Sequence, residues 1–232
     1  MGLFDFLNSP RHFVAREKLL HLRAAYEMKL AAARSGEQLL MTEPEIDNSG
    51  HDFVASINYD LLYVQNKSTL SGANVNAWNV HPKLLQVPYG DRDISPQIDH
   101  SPIGGIDGAM GGVLLHEIDS EAAQQDKLKI SYFYFDIFFA AAVQSGLWVS
   151  PNFCREKARS IMEKIAHGER GDRISLPKQA MLPIRSPAAL VAFRFHLPWP
   201  SNWISLGRLS NEQPEVIKNH WRSEIGQWVT QQ

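Results

Sequence analysis

One cysteine, Cys154, stands in 232 residues. That scarcity excludes an intramolecular disulfide and a cysteine-rich zinc site, and it fits a reducing compartment, so the expected location is the cytoplasm. No apolar run reaches the roughly 18–20 residues that span a bilayer. The longest candidate, 130–148, is interrupted by Asp136, Gln144 and Ser145 and reads as buried core, so no membrane association is expected. The opening Met1–Phe6 lacks the positive lead of a secretory leader, and Phe6 stands where a myristoylation motif needs Ser or Thr, so neither export nor lipidation is expected. Charge of one sign is also missing. With 23 Lys and Arg against 25 Asp and Glu, the formal charge is -2, and a nucleic-acid partner would have to be met by a local patch. The nine histidines contain no His-x-x-x-His or His-Glu-x-x-His spacing, and no Gly-x-Ser-x-Gly elbow occurs, which removes zinc-hydrolase and serine-hydrolase chemistry. There is no internal repeat, low-complexity tract or linker.

At 44% hydrophobic, the chain has material for one sizeable core. The expected organisation is a single domain, 1–232. Its core begins in 9–69, continues with a long Gly/Pro loop in 70–150, and carries a helical and strand addition in 151–232. Ser9-Pro10 opens a helix that runs to Arg34 and stops at Gly36, with Leu19, Leu22, Tyr26, Leu30 and Ala33 as a stripe suited to a sheet. A strand follows over 38–42. The runs 52–58 and 61–68 read as a hairpin, and a short helical turn is expected near Pro82–Leu85. Further strands are expected over 113–118 and 128–135, then a buried helix to Gly146. A helix opened by Ser150-Pro151 closes at Gly168, with Cys154, Ala158, Ile161 and Ile165 inside. A late strand over 188–197 and a last helix from about Pro214 complete the order. That helix has a Ser210/Gln213 capping box and an Ile217, Trp221, Ile225, Trp228 stripe. Helices and strands interleaved in this way predict an α/β fold with helices flanking a central mixed sheet. The five glycines of 104–112 suggest a phosphate cradle but lack a Gly-Lys-Ser/Thr ending, and a packed turn is the better reading.

Within the hairpin, Asp47-Asn48-Ser49-Gly50-His51-Asp52-Phe53 is followed by Gln65-Asn66-Lys67. If Asn58 pairs with Leu61, Asp52 lies opposite Lys67 and Val54 opposite Gln65, so Asp52, Gln65 and Lys67 share one face. A carboxylate, an amide and a lysine so placed can hold a divalent cation beside a water. They can also form a simple cross-strand ion pair, worth about 0.2–1 kcal/mol when exposed. Glu27 on the first helix is the candidate second acid, with Glu17 as the alternative. Glu27 can equally be a surface carboxylate paired with Arg23 or Arg34. Arg155, Lys157, Arg159, Lys164, Arg170 and Arg173 form the most basic segment. They are either phosphate-backbone contacts or a solvated face interleaved with Glu156, Glu163 and Glu169.

The pattern Asp-x-x-Gly-x-Asp-Phe, a strand, a short turn and a strand ending Val64-Gln65-Asn66-Lys67-Ser68 resembles the PD-(D/E)XK nuclease superfamily, restriction-endonuclease-like, in its Gln-x-Lys branch. The resemblance covers residues 13 to 69. It implies a mixed sheet flanked by helices, an acid from the first helix, and Mg2+- or Mn2+-dependent hydrolysis of phosphodiesters, DNA being the expected substrate. It implies Asp52 as the metal-binding carboxylate of the first motif, Gln65 where the second acid usually stands, Lys67 as the motif lysine, and Glu27 as the helix acid. Asp52, Gln65 and Glu27 are thus the implied metal ligands. Gln65 removes a negative charge and Asn66 is polar where the family has an apolar residue. A role in genome defence, repair or a mobile element goes with the resemblance. The competing reading is a catalytically weak or inactive nuclease-like scaffold that binds or assembles, its partner or second copy held through the tryptophan-rich C-terminal region.

Overall fold

The computed structural model describes residues 2–44, 50–88, 104–105, 108–169, 171–196 and 215–230. Ser9 caps a 3-10 turn over Pro10–His12, its hydroxyl accepting from the Arg11 amide, after the short helix α1 (Leu3–Asn8). The long helix α2 (Phe13–Arg34) follows and stops at Gly36, whose φ of +76° suits glycine. Three strands then form a meander: β1 (Leu40–Thr42), β2 (Phe53–Ile57) and β3 (Asp60–Leu70). Next come β4 (Ala77–Val80), the helical turn α3 (Pro82–Leu85) and the two-residue strands β5 (Val87–Pro88) and β6 (Gly104–Gly105). The chain returns to the main sheet with β7 (Gly112–Ile118), α4 (Ser120–Gln124), β8 (Ile130–Asp136) and α5 (Ile137–Ser145). It closes with α6 (Arg155–His167), β9 (Ile174–Pro177), β10 (Leu182–Ile184), α7 (Ala188–Val191) and α8 (Glu215–Gly226).

The fold is α/β. Six strands in the order β1-β2-β3-β7-β8-β10 make a mixed sheet in which only β3 and β7 run parallel. A parallel pair needs a crossover, and the chain between Leu70 and Gly112 supplies it. Helix α2 covers the face that carries Phe53, whose ring meets the His21 ring edge-on at 5.1 Å, and α7 packs against α2. The other face carries Phe133 and Phe135. Lys178 sits over the Phe133 ring at 4.6 Å, and Phe139 and Phe153 pack on Phe135. The β4–β9 ribbon extends this second layer with the buried Trp78, Val80 and Leu176.

Several expectations are corrected. The α2 residues that meet the sheet are Leu20, Ala24, Met28 and Ala32, all fully buried, whereas Leu19, Leu22, Tyr26 and Leu30 face outward. Two equally regular stripes compete along this helix, and the one with small alanines won because α7 approaches closely there. Residues 188–196 are helical, not a strand: α7 runs into a π-helical turn over Ala192–His196, behind Pro187 in the helical region. Cys154 is exposed, since α6 begins one residue later and Cys154 is its N-cap, leaving Ala158, Ile161 and Ile165 as the buried stripe. The Ser210/Gln213 box, Trp199 and Trp203 lie outside the described residues. Among the described residues no helix is long and apolar enough to cross a membrane.

Candidate active site

The hairpin turn sits one residue earlier than the sequence suggested. Asn58, at φ +55°, and Tyr59 form the connection, so Ile57 pairs with Asp60 and Phe53 with Val64. Asp52 therefore stands level with Gln65 instead of Lys67. The displacement is two residues in register, and because side chains alternate, Gln65 and Lys67 keep the expected face.

Strand β3 outruns β2. From Gln65 to Leu70 it pairs only with β7, and among the described residues its other edge has no strand beside it. Asp52 closes the first open position: its amide donates to the Val64 carbonyl at 2.8 Å, and its Oδ2 accepts from the Asn66 amide at 2.5 Å. The carboxylate is thereby fixed against the backbone between Gln65 and Lys67. Gly50, at φ +79°, brings the chain into this position. A Cβ there would start 3.0 Å from the His81 Cβ and 3.4 Å from the Gln65 amide nitrogen. The Gln65 Oε1 is buried and, among the described residues, has no hydrogen-bond partner. An amide oxygen left without a donor costs about 1–3 kcal/mol, which makes it an apt place for a cation.

Helix α2 contributes Glu17. Its carboxyl lies near enough to Asp52 and Lys67 to feel both charges: partial burial raises its pKa, Asp52 raises it further, and Arg16 and Lys67 pull it back. Glu27, named from the sequence, occupies a different place. It lies ten residues further along, about 15 Å down the axis, where Arg23 Nε donates to its Oε1 at 2.7 Å. Its charge acts there on Tyr132, whose phenol is pushed up to about 12, first by burial and then by Glu27. The Arg23 pairing expected for Glu27 is what the structure contains, with the carboxylate mostly buried instead of on the open surface.

Asn66, a polar residue within β3, has its reason on the opposite face. Its Oδ1 lies 3.1 Å from His116 Nε2, and the His116 ring sits edge-on to Tyr132 at 5.4 Å. Burial takes His116 down to about 3, so the ring is neutral and donates to Asn66. The side chain that follows Gln65 and precedes Lys67 is thus tied down. Two polar residues inside apolar strands, Asn66 and His116, were the signal for this pair.

Among the described residues no group of three His, Cys, Asp or Glu gathers to hold a metal ion. The oxygen donors here are the Asp52 carboxylate and the Gln65 amide oxygen, with the Glu17 carboxylate close enough to act on Asp52 through its charge. All are oxygens, the set that magnesium and manganese prefer, so the residues present fit such an ion. Of the basic segment, Arg155 leans over Gly146, at the C-terminal end of α5. That gives at least this arginine a structural neighbour. Comparison with protein-family models, with curated proteins and with solved structures finds no match.

Proposed function

We propose that this chain is a divalent-metal-dependent nuclease of the PD-(D/E)XK superfamily that hydrolyses phosphodiester bonds of DNA. The observation that carries the reading is the Asp52 carboxylate docked on the Asn66 amide between Gln65 and Lys67, with Glu17 in the same electrostatic field. Magnesium or manganese would be held by Asp52 and Gln65, with Glu17 as the second carboxylate. When bound, such an ion lowers the pKa of water and neutralises charge on the phosphoryl oxygens.

The chain's own residues supply the remainder. The Asn66 amide holds Asp52 in one orientation, so little reorganisation is needed when a substrate arrives. Lys67 presents an ammonium that orients the attacking water and offsets the charge that builds on the phosphate. Glu17, with its raised pKa, takes up a proton more readily than an ordinary glutamate, as a group receiving the proton of that water should.

The test is cleavage of linear and circular DNA, with RNA in parallel, by the natural chain and by Asp52→Asn, Lys67→Met, Glu17→Gln and Glu27→Gln. Asp52→Asn and Lys67→Met are expected to lose about 10²–10³-fold in rate. Glu17→Gln should lose about 10²-fold, with Glu27→Gln close to the natural chain. Cleavage unaffected by Asp52→Asn, or no cleavage of any substrate together with no magnesium or manganese binding by calorimetry, would refute the reading and favour the binding scaffold.

A further inference from the structure

Among the described residues, the face of α2 turned away from the sheet is apolar without a partner. Leu19, Leu22, Tyr26 and Leu30 are 37%, 56%, 63% and 36% exposed, and Ala15 and Ala33 continue their line at exposed positions. By helix periodicity this line lies roughly 180° around α2 from the buried Leu20, Ala24, Met28 and Ala32. A helix that only had to cover the sheet would be polar on that side. The steps from 15 through 19, 22, 26, 30 and 33 are four, three, four, four and three. They trace a narrow line along one face of a straight helix, able to seat a partner helix, not the broad apolar face of a helix lying in a membrane surface.

Charge says what the seam would accept. Lys18 and Lys29 run along one side of it and Arg23 and Arg34 along the other. Lys18 and Arg23 remain about half exposed although Glu43 and Glu27 neighbour them. Glu27 itself is only 16% exposed, tucked on the sheet side of Arg23, and no acidic residue of α2 stands on the Lys18–Lys29 side. A second copy of this helix would bring an excess of cations against cations in either direction, a mismatch that weakens pairing.

We propose that the outer face of α2 docks an acidic amphipathic helix of another protein, its apolar residues in the Leu19–Leu30 seam and its glutamates or aspartates against the two basic rails. The docking goes beyond the hydrolytic reading and does not depend on it.

The experiment measures fluorescence anisotropy of two synthetic helical peptides against the full chain. Both carry leucine at the a and d positions, one with glutamate and the other with lysine at e and g. The glutamate peptide should bind saturably and more weakly as salt rises, and the lysine peptide should not bind. Leu22→Glu with Tyr26→Glu should weaken the glutamate peptide at least about tenfold. Lys18→Glu with Lys29→Glu should lose that peptide and gain the lysine one. Equal binding of both peptides, or none, overturns the proposal. So does self-association in sedimentation that Leu22→Glu abolishes, which would make the seam a dimer interface. Binding of anionic phosphatidylglycerol vesicles in place of the peptide overturns it too.

Discussion

His116 and Asp136 are both buried, and their burial acts on stability in opposite senses. Asp136 caps α5 by accepting from the Phe139 amide at 2.7 Å and also accepts from the Tyr134 hydroxyl at 3.0 Å, yet burial outweighs these bonds and raises its pKa to about 6. The folded chain therefore holds that proton more tightly than the unfolded one, and stability falls as pH rises from about 4 to 6. His116, lowered to about 3, does the reverse: the unfolded chain takes up the proton first, and stability falls as pH drops below about 6.5. Each slope is about 1.4 kcal/mol per pH unit where the windows overlap, so the two largely cancel between pH 4 and 6. Denaturant unfolding over that range should find the natural chain nearly flat. Asp136→Asn should uncover the His116 slope, with stability lost on acidification, and His116→Gln should uncover the opposite one. A natural chain that already loses stability at the full His116 slope would show that Asp136 is not protonated in the fold.

Tyr134 reaches Asp136 across Gly112, and the contact explains why that residue has no side chain. A Cβ at Gly112 would collide with the Tyr134 phenol, its oxygen and ring carbons alike. Gly112→Ala should destabilise by about 1–3 kcal/mol through overpacking, read as a lower denaturant midpoint at unchanged slope. An unchanged midpoint would mean the phenol is free to move away.

At the scale of elements, α2 shows how far a sequence can be followed. Its ends were legible because Ser9-Pro10 and Gly36 have local, backbone-level reasons to start and stop a helix. Its orientation was not. Leu19, Leu22, Tyr26 and Leu30 carry more apolar bulk than Leu20, Ala24, Met28 and Ala32, and periodicity favours bulk, while the sheet and α7 demanded the smaller residues. It is Glu17, not Glu27, whose charge meets that of Asp52. The late segment Ala188–His196 was misread for a related reason: its apolar run matches a buried strand or a buried helix, and only packing against α2 decides. The hairpin was legible because β-branched and aromatic residues flank a short turn, and its face survived a register error since the error was even. Met28→Ala should cost about 2–5 kcal/mol as a core truncation, whereas Leu22→Ala should stay within about 0.5 kcal/mol. Chemical denaturation of both variants checks the assignment. A large loss at Leu22 would mean that something within the chain covers the seam.

For the whole molecule, the arrangement separates three tasks. The core between α2, the sheet and the β4–β9 layer provides the stability. At the β3 edge beyond Gln65, Asp52 is docked on the Asn66 amide and its charge and that of Lys67 reach Glu17, while the outer face of α2 gathers apolar and basic residues elsewhere on the surface. A net charge of -2 gives no general attraction to nucleic acid, so affinity at the β3 edge would have to come from the bound cation and Lys67. Such an ion binds only the folded chain, since Asp52, Gln65 and Glu17 are far apart in sequence, and it must raise the melting temperature by mass action. At a free metal concentration about 100-fold above Kd the gain is about 2.7 kcal/mol. For a chain of this size that is a shift of roughly 5–10 °C. Manganese or magnesium titrated into a thermal melt should therefore give a saturable rise that a chelator reverses. Asp52→Asn should abolish the rise, and Lys67→Met, which leaves every oxygen donor in place, should keep it. A rise that survives Asp52→Asn would place the ion elsewhere, and no rise at any concentration would leave the buried Gln65 oxygen without the cation that its isolation suggests.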